Sequence, residues 1–272
     1  MRSRPRRLLA TSTVVLLALA CTGCAVNAGS AGTDRLEARF ADVPDIESVF
    51  TSASNNLPFM GSSDAHIEVS DAASSDRAAE IGHELGAFLA VDSRVVTWGA
   101  SIEYHGLSVA ITDDRAVNTA RLDAAESLWA ADVEGELSYG FVVLTAADAD
   151  ALESVTARAQ SIAGAPGMEI AESAHVGAYV ESAVADRTSP VTSTEWSFPS
   201  SFSAMSAPGT DLAAEFDAFD QARATVDLAE ATLEAGSVHL VITGDDLAVA
   251  SALTELLSLG TDLEVEIVTE GA

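Results

Sequence analysis

Two stretches of the chain, LSVAITDDRAV (107–117) and HLVITGDDLAV (239–249), pass through the same three states in the same order. Large apolar residues first recur at every second position (Leu107, Val109 and Ile111; Leu240 and Ile242), then a Thr and a pair of acids follow, then apolar residues recur at helical spacing. Period-two alternation turns one side of a strand apolar, and spacing at i, i+3 and i+4 makes a helical stripe. The Thr and Asp between them supply oxygens for the unpaired N–H groups of a helix start and complement its positive end. A chain built from such joints interleaves strands with helices, which predicts the α+β class.

The same joint recurs along the sequence. His66-Ile67-Glu68-Val69 alternates, and Ser74-Ser75-Asp76 then caps a helix with Ala78, Ile81, Leu85, Phe88 and Leu89 on one face. Trp98, Ala100, Ile102 and Tyr104 alternate up to a turn at Gly106, and Leu107, Val109 and Ile111 follow as a second strand. A helix with a stripe of Val117, Ala120, Ala124, Leu128 and Ala131 comes next, then a strand through Leu137, Tyr139, Phe141 and Val143. The order is βαββαβ over residues 64–145, which predicts a ferredoxin-like split βαβ unit, an antiparallel sheet with helices on one face. Beyond it, a helix along Leu152, Val155, Ala159 and Ile162 leads to a strand at Val176, Ala178 and Val180. Residues 211–233 read as one long helix, followed by a strand at Val238, Leu240 and Ile242, a helix with Val249, Leu253, Leu256 and Leu257, and a strand at Leu263, Val265 and Ile267. The likeness of 109–117 to 240–249 suggests a duplicated unit; a capping solution shared by unrelated joints would look the same.

Residues 186–210 are dense in Ser, Thr and Pro and read as a linker or long loop. They also hold Trp196, Phe198 and Phe202, so the segment either packs back through its rings or serves as a docking loop for a partner.

The chain has 272 residues and 42 acids, and all 13 of its basic residues are arginine. Schiff-base chemistry, P-loop lysines and Ser-Lys catalysis therefore have no lysine to use. A formal net charge of −29 excludes nucleic acid as a partner, because phosphate binding needs a basic footprint. Apolar content of 48% is enough for a buried core.

The amino end stands apart. Arg2, Arg4, Arg6 and Arg7 precede an uncharged, mostly apolar run from Leu8 to Ala20, the layout of a secretory signal. The run is shorter than the roughly 20 residues a bilayer span needs. Cys21-Thr22-Gly23-Cys24 follows, and these are the only cysteines. A redox C-x-x-C needs a helix start beside it, and a zinc site needs about four ligands. Neither is present in the sequence around this pair.

A cysteine preceded by small residues at the end of an apolar run resembles the lipobox of bacterial lipoprotein precursors. That resemblance implies cleavage before the cysteine and diacylation of its thiol. Cys24, after Thr22-Gly23, is the preferred lipidation site, with Cys21 as the alternative. Two acyl chains suffice for stable anchoring. Cleavage before Cys24 removes four of the 13 arginines and none of the 42 acids, and so deepens the charge from −29 to −33. The expected organisation is a signal peptide (1–23), a flexible tether (24–33), an α+β ferredoxin-like domain (34–185), the Ser/Thr/Pro stretch (186–210) and a C-terminal α-βαβ unit (211–272).

No catalytic set assembles from spacing. His83-Glu84 begins an H-E-x-x-H, but Ala87 stands at the second histidine. There is no G-x-S-x-G elbow and no EF-hand spacing after Asp113-Asp114 or Asp245-Asp246. His66, His105 and His239 each alternate with the apolar residues of a strand. With Glu68 and Glu103 they are expected on the open sheet face, either as solvated surface groups or as a His/carboxylate binding patch. No cofactor and no metal are expected. The leading expectation is a non-enzymatic binding or interaction module, held to the membrane by its lipid and presented to an envelope protein partner. The alternative is an envelope hydrolase that uses scattered carboxylates.

Overall fold

Ser74 does what its position predicts: its hydroxyl accepts from the Arg77 N–H at 3.2 Å, and the helix Ser75–Asp92 begins there. The computed structural model describes residues 27–57, 60–94, 96–181, 200–244, 247–258 and 263–269. Cys21, Cys24, Trp196, Phe198 and the pair Asp245-Asp246 lie outside the described residues. The chain forms two compact units, residues 1–126 and 127–272, so the division falls within the expected 34–185 domain and not at the Ser/Thr/Pro stretch.

The first unit contains α1 (Ala28–Phe40), β1 (Ile46–Leu57), β2 (Met60–Val69), α2 (Ser75–Asp92), β3 (Val96–Tyr104), β4 (Leu107–Ile111) and most of α3 (Arg115–Trp129). β1 and β2 form an antiparallel hairpin, β2 and β3 pair in parallel across α2, and β3 and β4 form a second hairpin. His105 and Gly106 close that hairpin with φ of 49° and 70°, the two left-handed positions of a type I′ turn. Ile67, Val69, Ile81, Leu85, Leu89, Ile102, Val109 and Ile111 are buried. Phe88 joins α2 to the sheet by an edge contact to Trp98 at 5.8 Å. Trp98 also donates to Asp92, which holds Arg35 of α1 at 2.7 Å, so one buried carboxylate links three elements.

The second unit contains β5 (Gly135–Leu137), β6 (Phe141–Ala146), α4 (Leu152–Ala163), β7 (His175–Glu181), β8 (Ser200–Ser206), α5 (Ala213–Arg223), β9 (Leu228–Glu234), β10 (Ser237–Ile242), α6 (Leu247–Ser258) and β11 (Glu264–Thr269). Strands adjacent in sequence are adjacent in space. Antiparallel pairs (β5–β6, β7–β8, β9–β10) alternate with parallel pairs that a helix connects (β6–β7, β8–β9, β10–β11). Leu152, Phe216, Phe219, Leu253 and Leu257 from the three helices share one core with Ala178, Ala204, Leu233 and Leu240 from the strands. All three helices therefore cover the same face. Because β8 and β9 run opposite to β6 and β7, the α4 and α5 crossovers have opposite hands. One of them departs from the right-handed rule that holds for about 98% of such connections.

The α+β class holds, and four expectations are corrected. The sheets are mixed and not antiparallel. A split βαβ unit places a strand between the two that its helix joins, whereas β2 and β3 pair directly. The tether expected at 24–33 is helical from Ala28. Small residues allow it, since a Cβ on Gly61 would lie 2.1 Å from the Gly29 nitrogen, too close for any side chain. Residues 211–233 are not one helix: α5 ends at Arg223 and β9 starts at Leu228.

Smaller shifts have local causes. The strand expected through Tyr139 is broken by a turn that joins β5 to β6, and Tyr139 is 64% exposed. The buried stripe of α3 runs through Val117, Arg121, Leu122, Ala125 and Leu128 and not through Ala120 and Ala124. Arg121 fits there because its stem is apolar and its Nη1 donates to the Ala110 carbonyl at 3.1 Å. In the 186–210 stretch, residues 200–206 form β8.

Candidate functional site on the open face

The face of the first unit that no described helix covers is set out by strand register. Phe50 pairs with His66 and His66 with Ser101; Ser48 pairs with Glu68 and Glu68 with Glu103; Ser52 pairs with Asp64 and Asp64 with Gly99. Paired residues point to the same side, so β1, β2 and β3 present a three-by-three array. Ile67, Ala65 and Val69 alternate with it on β2 and face the core.

His66 is the centre of the array. Its Nε2 lies 3.2 Å from Glu103 Oε2, its Nδ1 lies 3.0 Å from the Ser101 hydroxyl, and the Phe50 ring stacks near it at 6.4 Å and 29°. The Glu103 hydrogen bond raises the imidazole pKa above its ordinary value, against the opposing effect of burial. The same contact holds the Glu103 carboxyl below its ordinary value. Ser48 donates to Glu68 at 2.7 Å, and Ser52 donates to Asp64 at 3.1 Å. Gly99 leaves room for Asp64, because a Cβ there would lie 2.6 Å from the carboxylate oxygen. The result is a shallow groove of about 380 Å³ lined by Phe50, Ser52, Asp64, His66, Gly99 and Ser101. It joins an exposed ring, hydroxyls, an imidazole and carboxylates on rigid strands. Such a surface can hold a polar ligand or a partner side chain.

Of the five residues expected to form a patch, His66, Glu68 and Glu103 come together. His105 does not, since it occupies the β3–β4 turn and meets the Tyr104 ring at 4.4 Å. His239 belongs to the second unit, where its Nδ1 lies 3.0 Å from Glu266 Oε2 across the parallel β10–β11 pair. Each unit thus carries a His/Glu pair between the strands on either side of a crossover helix. Phe50, Asp64 and Ser101 were missed. Phe50 and its strand carry no strong alternation, and Ser101 becomes a His66 partner only through the parallel register.

Thr112, Asp113 and Asp114 precede α3 as expected for a cap: the Asp114 carboxylate accepts from the N–H groups of Ala116 and Val117. Phe202 packs on Phe219 at 5.7 Å, inside the second unit. Among the described residues, no group of three or more His, Cys, Asp or Glu is placed to hold a metal ion, and no helix is long and apolar enough to cross a membrane. Comparison of the chain with protein families, curated proteins and solved structures finds no match.

Proposed function

We propose that this chain is a lipid-anchored, extracytoplasmic protein of the bacterial envelope that works as a binding module and not as an enzyme. The anchoring half of the reading rests on the arginine-rich start, the apolar run and Cys24 after Thr22-Gly23. The binding half rests on one observation: the open-face array around His66, whose ionisable groups are tied in pairs along neighbouring strands over a shallow groove. Pairing of this kind fixes side chains as a recognition surface.

A repeated strand–strand–helix unit belongs to the same reading. Both LSVAIT and HLVIT supply the second strand of a hairpin and lead into a helix, at β4–α3 and β10–α6. Copies of one unit would extend a sheet while leaving one face open throughout.

Intact-mass analysis of protein taken from membranes tests the anchor. Diacylglycerol on a mature terminus at Cys24, lost in Cys24→Ser, is the expected result. An unmodified terminus after Ala25 refutes it, and modification that survives Cys24→Ser moves the site to Cys21. Crosslinking in intact envelopes tests the module: His66→Ala with Phe50→Ala should lose partner or ligand capture while the fold is retained.

A further inference from the structure

On the helix side of the first unit, Gly82 meets Leu122 and Gly86 meets Asn118, so α2 and α3 pack antiparallel along a seam of small residues. Beside that seam is a cavity of about 510 Å³, a size typical of small-molecule sites. Gly86, Ala87 and Ala90 of α2 form its apolar wall, and His83, Asp113 and Arg115 line its polar parts. Ala87 and Ala90 are exposed.

The other two polar side chains of the lining are already engaged. Glu84 is held by Arg39 and Arg77 at 3.5 and 3.4 Å, and the Asn118 amide is held by Thr112. The side chains of His83, Asp113 and Arg115 have no hydrogen-bond or ion-pair partner among the described residues. Asp114, and not Asp113, caps α3. In a chain with 42 acids, Arg35, Arg39, Arg77 and Arg223 each hold a carboxylate. Arg115 holds none, although Asp113 stands two residues before it.

We infer that this cavity binds a small zwitterion with an apolar side chain, of the α-amino acid class. The Arg115 guanidinium takes the ligand carboxylate, which its planar fork matches with two parallel hydrogen bonds. The Asp113 carboxylate takes the ammonium. An α-amino acid carries both charges on one carbon, and the protein carries both complements on one turn at the start of α3. The ligand side chain then lies along Gly86, Ala87 and Ala90. From Ala90 back to His83 this wall runs about 10 Å, at 1.5 Å per residue, so the imidazole meets the far end of a long side chain. A simple anion would leave Asp113 unpaired beside it, and a simple amine would do the same with Arg115. A ligand that brings both charges together satisfies both. The cavity lies on the opposite side of the sheet from His66, and the inference rests neither on the open-face array nor on the anchor.

The test is calorimetric titration of the full chain with leucine, isoleucine, methionine, phenylalanine, tyrosine and tryptophan. The N-acetyl and amide forms of the tightest binder serve as controls. At least one amino acid should bind saturably at one site, and loss of either ligand charge should weaken it about tenfold or more. Arg115→Gln should erase the preference for the free acid over the amide, and Asp113→Asn the preference for the free amine over the N-acetyl form. Ala87→Leu should fill the cavity and abolish binding with an unchanged melting temperature, while His66→Ala should bind as wild type does. Absence of binding by all six at millimolar concentration overturns the inference. So do derivatives that bind as tightly as their parent, discrimination that survives both charge variants, or binding lost in His66→Ala, which moves the site to the open face.

Discussion

Asn118 lies across Gly86 so closely that a Cβ on the glycine would sit 2.3 Å from the Asn118 Nδ2. The amide cannot swing away at little cost. Its oxygen accepts from the Thr112 N–H at 2.8 Å and its Nδ2 donates to the Thr112 carbonyl at 2.7 Å, which ties the end of β4 to α3. Helix propensity alone favours Gly86→Ala by about 1 kcal/mol. Overpacking costs about 1–3 kcal/mol, and displacing the amide gives up two buried hydrogen bonds as well. Gly86→Ala should therefore be less stable by about 1–2 kcal/mol in urea melts. Gly86→Ala combined with Asn118→Ala should recover part of the overpacking loss, and full additivity of the two would show that the clash is not the cause.

The His66–Glu103 pair predicts a defined pH window. His66 is raised in the folded state, so its contribution is complete below about 6.5 and fades as pH rises through the raised value. Glu103 is lowered, so its contribution is complete above about 4.5 and fades as pH falls through the lowered value. The stability gap between wild type and His66→Gln should be largest between those limits and shrink on both sides. Both side chains are more than a third exposed, so the gap should be small and should narrow in high salt. A gap that is flat from pH 4 to pH 9 would remove the charged pair from the account.

Glu136 on β5 predicts the opposite trend. Burial pushes its carboxyl above the usual range, only partly offset by a hydrogen bond with Ser138. The folded state holds this proton more tightly than the unfolded chain, so wild type loses stability as pH rises across that interval. Glu136→Gln should be more stable than wild type at neutral pH, and the two should converge in acid. Thermal melts at pH 4 and pH 7.5 decide it.

Phe202 and Tyr139 give a contrast within the second unit. Phe202 packs on Phe219 and sits partly buried against the core, while Tyr139 is 64% exposed in its turn. Phe202→Ala should cost about 3 kcal/mol. Tyr139→Ala should stay within about 0.5 kcal/mol. Equal losses would mean that β8 is not held by its ring.

What the sequence made legible follows from burial. β3, β4, β10 and the start of α2 were readable because one side of each is deeply buried, so period and cap agree. β1 was not, because none of residues 46–55 is buried and its alternation is faint. α1 was not, because Ala28-Gly29-Ser30-Ala31-Gly32 has poor helix propensity; close packing on β1 and β2 overrides it. The strand order escaped a local reading altogether. Whether a helix returns its strand beside the first or one place further depends on pairings remote in sequence. His66 and Glu103 were expected on the open face, but their contact depends on that parallel register, as does the role of Ser101.

The alternation of strand direction in the second unit has a further effect. The turns that lead from strand to helix lie at one end of the sheet after β6 and β10 and at the other end after β8. Open parallel sheets gather these turns along one rim and build their clefts there. Here they are dealt out to two opposite rims, and the positive ends of the helices are dealt out with them, so no rim gathers all of them; the concavity at the β10 rim, about 400 Å³ between residues 223–227 and 242–243, draws on the α5–β9 loop and a single strand-to-helix turn. The uncovered face is the one surface to which every strand of the unit contributes side chains, and selection for binding would have to act there, residue by residue across neighbouring strands.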